Sequence, residues 1–256
     1  MNLGCTEFAV PGKLLEDKLR TLEPHEIWLE LANDGIGKKR LAGILQSLSR
    51  FRVPVKSVQA YCLHELQLLG NKREEQKAAV RHVEETIKIA SKIGAVNIVT
   101  TIFYGKPDIE KPREKCVELF RHFGKLGEEF NVIVSIEPLG KNRAAFLPGV
   151  SDVYKLVQDV GSGNVRLMAD TMHIHDNGDN VGEVVKKYST KLMELQLRDT
   201  DSKPPGLGTI DFAPVLKIVR GKFKGLICLE YNPGPDPSAD FNHALKFVSG
   251  VISAAR

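Results

Sequence analysis

The chain alternates short apolar runs with longer amphipathic segments, and this alternation limits its fold more than any other feature. Eight runs are rich in β-branched and apolar residues. They occupy residues 2–6, 27–31, 55–61, 96–102, 132–137, 165–170, 192–198 and 225–231. Strands that alternate with helices favour β-α-β units and a parallel sheet. Eight such units in 256 residues match the size of a closed (β/α)8 barrel, the TIM barrel.

The segments between these runs carry apolar residues at helical spacing. The stripe of one predicted helix consists of Leu41, Ile44, Leu45 and Leu48, and that of another consists of Val80, Val83, Ile87 and Ala90. The second stripe is followed by Gly94, a residue that commonly ends helices. The sequence therefore predicts helices of the length that connects parallel strands.

A doubly wound open sheet would show the same alternation. Such sheets usually carry G-x-G-x-x-G after the first strand, and "NLGCTEFAVPGK" does not contain it. No linker rich in Gly, Pro and Ser divides the chain; the densest turn region, "DSKPPGLGTIDF", lies between the seventh strand and the next helix. We predict a single TIM-barrel domain over residues 1–256.

Composition excludes several classes of protein. The 36 basic and 32 acidic residues give a net charge of +4, too mild to predict nucleic-acid binding. No apolar run approaches the roughly 18 residues of a membrane span. The start, "MNLGCTEFAV", lacks the layout of a signal peptide, and the four cysteines form no Cys-x-x-Cys. We expect a cytoplasmic protein with reduced thiols, and an oligomer is compatible with the sequence.

Polar residues end four consecutive predicted strands. Glu137 and Asp170 end the fifth and sixth, Gln196 lies in the seventh, and Glu230 ends the eighth. In a TIM barrel these positions meet at the mouth that carries the active site. Three carboxylates would repel one another unless a cation lay among them. Three carboxylates and one neutral oxygen suit a hard divalent ion.

Three further residues lie close to these strand ends. His173 follows Asp170 by three positions and could turn over the metal site, whereas we expect His175 to be structural or solvated. Arg198 shares a strand face with Gln196, because side chains alternate along a strand. Arg198 could bind an anionic substrate or could pair with Asp199 or Asp201.

Five motifs in this order resemble the xylose-isomerase-like barrel superfamily, which contains sugar isomerases and epimerases as well as endonuclease IV. They are "SIEPLG", "MADTMHIH", "ELQLRDTD", "PGLGTIDF" and "ICLEYNPG". The resemblance implies that Glu137, Asp170 and Glu230 bind a divalent ion and that His173 contacts the substrate. The family usually has His where this chain has Gln196. An amide oxygen can replace it and favours Mn²⁺ or Mg²⁺ over Zn²⁺.

The resemblance leaves three functions open. An endonuclease IV-like enzyme needs more histidines than this chain supplies, although His64 after the third strand matches one of them. A metal-free sugar-binding barrel is the second alternative, because Gln196 departs from the family pattern. We favour a metal-dependent isomerase or epimerase, in which His64 would contact the substrate.

The resemblance to epimerases also implies a mechanism. Glu137 and Glu230 would exchange protons at a carbon next to a carbonyl, one as base and one as acid, through an enediolate. The expected substrate is a small sugar or sugar derivative. Lys141, Arg143 and Arg198 favour a substrate with an anionic group.

Overall fold

The eight predicted strands form one closed parallel barrel. A computed structural model describes residues 3–61, 63, 65–221 and 223–254. The strands are β1 (Leu3–Thr6), β2 (Trp28–Ala32), β3 (Val55–Gln59), β4 (Asn97–Thr101), β5 (Ile133–Glu137), β6 (Val165–Asp170), β7 (Leu192–Leu197) and β8 (Leu226–Leu229). They are ordered β1 to β8, and β1 closes the barrel against β8. The predicted TIM barrel is confirmed, and the open sheet is excluded.

Helices follow the strands and cover the outside of the barrel. They are α1 (Leu15–Leu22), α2 (Lys38–Leu48), α3 (Arg73–Ile93), α4 (Pro112–Phe130), α5 (Val150–Val160), α6 (Thr171–Asp176), α7 (Val181–Tyr188), α8 (Ala213–Gly221) and α9 (Pro237–Ala254). In α3, Val83, Ile87 and Ala90 are buried as their spacing predicts. In α2, however, Leu45 is 41% exposed. Ile44 is the buried residue of this helix, and the next position is turned about 100° away from it around the helix axis.

An aromatic ring fills the end of the barrel at which the strands begin. Trp28 is 2% exposed and packs with Leu226 and Cys228. Gly4 is the residue paired with Trp28 on the neighbouring strand, and a Cβ atom at Gly4 would overlap the indole ring. The first strand therefore needs glycine here, because the ring takes the space of its side chain.

A polar layer lies above this ring, inside the barrel. Asn97 donates to Glu194 Oε2 at 2.9 Å and accepts from Ser135 Oγ at 2.7 Å. Glu30 Oε1 accepts from the amides of Gln59 and Gln196, at 3.0 and 2.9 Å. Buried polar groups need such partners, so the interior of these strands is organised by hydrogen bonds as well as by apolar packing.

Two smaller features complete the fold. Cys5, Cys116 and Cys228 are free and buried, as expected, and Cys62 lies outside the described residues. None of the helices in the described part of the chain is both long and apolar enough to cross a bilayer.

Candidate active site

A cavity of about 490 Å³ opens at the carboxyl ends of the strands. Residues at four strand ends face it: Gln59, Thr101, Glu137 and Glu230. Arg143, Tyr104, Phe8 and Tyr61 complete part of its wall. The cavity lies where TIM barrels carry their active sites, and its lining combines charged groups with aromatic rings.

Three predicted carboxylates converge at this cavity, and Arg198 lies among them. The guanidinium Nη2 is 2.7 Å from Asp170 Oδ2, and Nη1 is 3.0 Å from Glu230 Oε1. Glu137 Oε1 lies 3.9 Å from Nη2. Arg198 is 5% exposed and Asp170 is fully buried. Water therefore screens these charges weakly, and each one strongly affects the others.

The burial of these groups changes their proton affinities. Burial raises the pKa of Glu137 well above its usual range; Glu230 and Asp170 raise it further and Arg198 opposes them. Burial also raises the pKa of Glu230 to about 7, although Arg198 again opposes the shift. Burial thus favours the protonated form of both glutamates, and the positive charge of Arg198 opposes it at each of them.

His173 lies in the same cluster as a neutral ring. Burial lowers its pKa to about 3. Its Nε2 is 3.1 Å from Arg198 Nη2 and 3.6 Å from Glu137 Oε1. Because Arg198 can only donate, Nε2 accepts and the ring proton lies on Nδ1. The ring is held here because Asp170 caps α6 by accepting from the backbone N–H groups of Met172 and His173.

Gln196 lies just below this cluster, in the polar layer that contains Glu30. Its Nε2 donates to Glu30, and its Oε1 has no hydrogen-bond partner among the described residues. Gln59 connects the two layers, because its Nε2 donates to Glu30 Oε1 and to Glu230 Oε2, both at 3.0 Å. Glu230 thus has one oxygen held by Gln59 and the other by Arg198.

The alternative pairing of Arg198 with Asp199 or Asp201 is wrong. Asp199 accepts from the backbone N–H groups of Thr200, Gly206 and Ile210, and Asp201 pairs with Lys203. A Cβ atom at Gly208 would run into the Asp199 carboxylate. The motif "PGLGTIDF" therefore shapes the loop after β7 around Asp199, which leaves Arg198 to the carboxylates inside the barrel.

Two other histidines are named in the sequence analysis. His64 lies outside the described residues. His175 is exposed, as expected, and its Nδ1 lies 3.8 Å from Asp176. Our sequence analysis missed Glu30 and Gln59. The sequence feature that could have identified them is a polar residue within a predicted apolar strand, Glu30 in "IWLEL" and Gln59 in "VKSVQ".

Comparison with known proteins identifies the family of this chain. The model of the xylose isomerase-like TIM barrel family matches residues 16–249. The chain belongs to that family. One relative is the D-psicose 3-epimerase of Enterocloster bolteae, 25% identical over 48% of this chain and 41% of that protein. The chain spans about half the length of the first curated relatives it matches. Two of the others are named as an inosose isomerase and a hydroxypyruvate isomerase.

Solved structures agree on the fold. The apo structure of 3-keto-D-glucoside 4-epimerase from E. coli superposes with a TM-score of 0.85 at 16% identity, over 98% of this chain and 99% of that one. The IolI protein with a bound zinc atom has a TM-score of 0.78 at 17% identity and covers 99% of both chains. At these identities the likeness shows the barrel fold alone.

The cluster offers donors that fit a divalent ion. Ligand atoms of Glu137, Asp170 and His173 lie within 4.8 Å of one another. Glu137 Oε1 and Asp170 Oδ2 have no aligned hydrogen-bond donor among the described residues, although both face Arg198. Carboxylate oxygens with an imidazole suit Mn²⁺, Mg²⁺ or Zn²⁺.

Proposed function

We propose that this protein is an isomerase or epimerase of a small sugar or sugar derivative. It would remove a proton from a carbon next to a carbonyl, so that the reaction passes through an enediolate. One observation carries the proposal. Two buried glutamates with raised pKa values, Glu137 and Glu230, line the same cavity and are both within ion-pair distance of Arg198. The sugar isomerases and epimerases among the relatives support the reaction class.

The two glutamates suit different steps. A general base works best when its pKa is near the working pH, and burial raises the pKa of Glu230 to about 7. Glu230 would take the proton from carbon. Glu137, the second buried glutamate that lines the cavity, would return a proton to the enediolate. His173, neutral and buried beside Glu137, would contact a substrate oxygen.

The proposed cofactor is a divalent ion, with Mn²⁺ or Mg²⁺ favoured. Glu137, Asp170 and Glu230 would hold it, and the unpartnered Oε1 of Gln196 is the proposed fourth ligand. When bound, such an ion supplies positive charge for the oxyanion that develops as the proton leaves. The mouth also carries Arg143 beside the aromatic Tyr104, which favours a sugar derivative with an anionic group.

Solvent deuterium tests the reaction class. The protein would be incubated in D₂O with ketohexoses and 3-keto glycosides, the substrate classes in the names of its relatives. We expect deuterium at the carbon next to the carbonyl, detected by NMR, and its loss in Glu230→Gln. Glu129→Gln, on the exposed face of α4, is the matched control and should exchange like the wild type.

Two outcomes would contradict the proposal. Conversion of a sugar without incorporation of deuterium would favour a hydride shift instead. Sugar binding without conversion or exchange, measured by calorimetry on the same panel, would favour a binding barrel without catalysis.

A further inference from the structure

Arg198 contacts every ionisable group of the carboxylate cluster. Its Nη1 pairs with Glu230, and its Nη2 lies near Asp170, His173 and Glu137, at 2.7, 3.1 and 3.9 Å. A single guanidinium therefore supplies the positive charge that three buried carboxylates require. Among the described residues, no other lysine or arginine forms an ion pair with these carboxylates.

The backbone of Arg198 is fixed as firmly as its side chain. Thr171 Oγ1 donates to the carbonyl of Arg198 at 2.6 Å and accepts from its N–H at 2.8 Å. Thr171 directly follows Asp170, so the same turn positions the carboxylate and the arginine that pairs with it. Because Arg198 is 5% exposed, little water competes for its charge.

A divalent ion would need the same oxygen atoms. Asp170 Oδ2 and Glu137 Oε1 both face Nη2 of Arg198. A metal ligand bond is about 2.0–2.6 Å long for Mg²⁺ or Ca²⁺. An ion bound to Asp170 Oδ2 would therefore lie within a few ångströms of the guanidinium, and two like charges at that distance in a buried site repel strongly.

We propose that Arg198 is the resident cation of this cluster and that a divalent ion binds only by displacing its guanidinium. The inference rests on the proposed function, since the ion is the cofactor proposed there. It makes Arg198 a residue that limits metal affinity rather than a simple substrate-binding group. Binding of a divalent ion would then require that the guanidinium first leaves its ion pairs with Asp170 and Glu230.

Titration with Mn²⁺ alone tests this inference. Calorimetry or the EPR signal of free Mn²⁺ would compare the wild type with Arg198→Gln, Arg198→Lys and Arg143→Gln. Arg198→Gln removes the competing charge and should bind Mn²⁺ at least about tenfold more tightly, because like charges in a buried site repel strongly. Arg198→Lys keeps the charge and should stay close to the wild type.

Arg143→Gln is the matched control. Arg143 lines the same cavity but forms no ion pair with these carboxylates among the described residues. Its removal changes the charge at the mouth of the cavity but leaves the ion pairs of Arg198 with the carboxylates intact. Mn²⁺ affinity should therefore change by less than about threefold. An affinity of Arg198→Gln equal to or weaker than that of the wild type would overturn the inference, and so would the absence of binding to both proteins.

A second measurement does not depend on the folding of the variants. In a crystal of the wild type soaked in Mn²⁺, a bound ion at Asp170 should coincide with a guanidinium beyond ion-pair distance of Asp170 and Glu230. An ion bound there with Arg198 unmoved would overturn the inference. Deuterium exchange would remain a separate test of the proposed function, because it follows the carbon–hydrogen bond and not the metal affinity.

Discussion

Thr171 Oγ1 forms two hydrogen bonds with the backbone of Arg198, one to its carbonyl and one from its N–H. Thr171→Val keeps the shape of the side chain but leaves both backbone groups without this partner. Buried unsatisfied groups cost about 1–3 kcal/mol each, so we expect the free energy of unfolding to fall by about 2 kcal/mol or more. Urea unfolding would measure it, with Thr171→Ser as the control that keeps the hydroxyl. Equal stability of the Val and Ser variants would contradict this role.

Gln59 holds Glu230 through a hydrogen bond to Oε2. A donor to a carboxylate favours its charged form. Gln59→Leu removes this donor and should therefore raise the pKa of Glu230 above its present value of about 7. The acid limb of the pH profile of deuterium exchange should therefore move to higher pH. Gln158→Leu, on an exposed position of α5, should leave the profile unchanged. An acid limb that stays in place in Gln59→Leu would show that Glu230 is not the base.

Glu194 is fully buried, and burial raises its pKa to about 7 from the usual 4.5. A group with a raised folded pKa stabilises the fold fully below its unfolded pKa, and this contribution is lost as the pH rises through the folded value. Glu194→Gln mimics the protonated form at every pH. We expect it to be more stable than the wild type at pH 8, with the difference much reduced near pH 4.5.

Urea unfolding at both pH values would measure this difference. Glu129→Gln, which removes an exposed carboxylate, should show no comparable gain at pH 8. If the gain in Glu194→Gln were the same at both pH values, ionisation of this residue would not explain it.

Gly208 lies against the carboxylate of Asp199, and a Cβ atom there would overlap Asp199 Oδ1 and Thr200 Oγ1. Gly208→Ala should push Asp199 away from the N–H groups of Gly206 and Ile210 and cost about 1–3 kcal/mol. Thermal unfolding would detect the loss. Gly163→Ala is the control, because no heavy atom lies within 4 Å of its added Cβ. Equal effects of the two substitutions would argue against a packed loop here.

Gln196 stands where the family usually has histidine, and its Oε1 has no hydrogen-bond partner in the part of the chain that the structure describes. If this oxygen is the fourth ligand, Gln196→His should raise the affinity for Zn²⁺ more than that for Mg²⁺. Calorimetric titration with both ions would measure the change, and Asp170→Asn should weaken both. Unchanged affinities in Gln196→His would place Gln196 outside the metal site.

The sequence by itself determined the barrel and the strand ends that form its mouth. Alternating strand and helix patterns are local. Closure of the parallel barrel then brings Glu137, Asp170 and Glu230 to one end, as their positions at the ends of predicted strands indicate. The exposure of Leu45 was not predictable in this way, because burial depends on which neighbour a helix meets.

Only the tertiary structure decided the partners of Arg198. Along the chain its nearest acidic neighbours are Asp199 and Asp201. However, Asp199 accepts hydrogen bonds from backbone N–H groups of the loop, and Asp201 forms an ion pair with Lys203. The side chain pairs instead with Asp170, the last residue of β6, and with Glu230, directly after β8. Alternation along β7 directs Arg198 into the barrel, but a charge pairs with whichever opposite charge shares its buried space, and that space exists only once the barrel has closed.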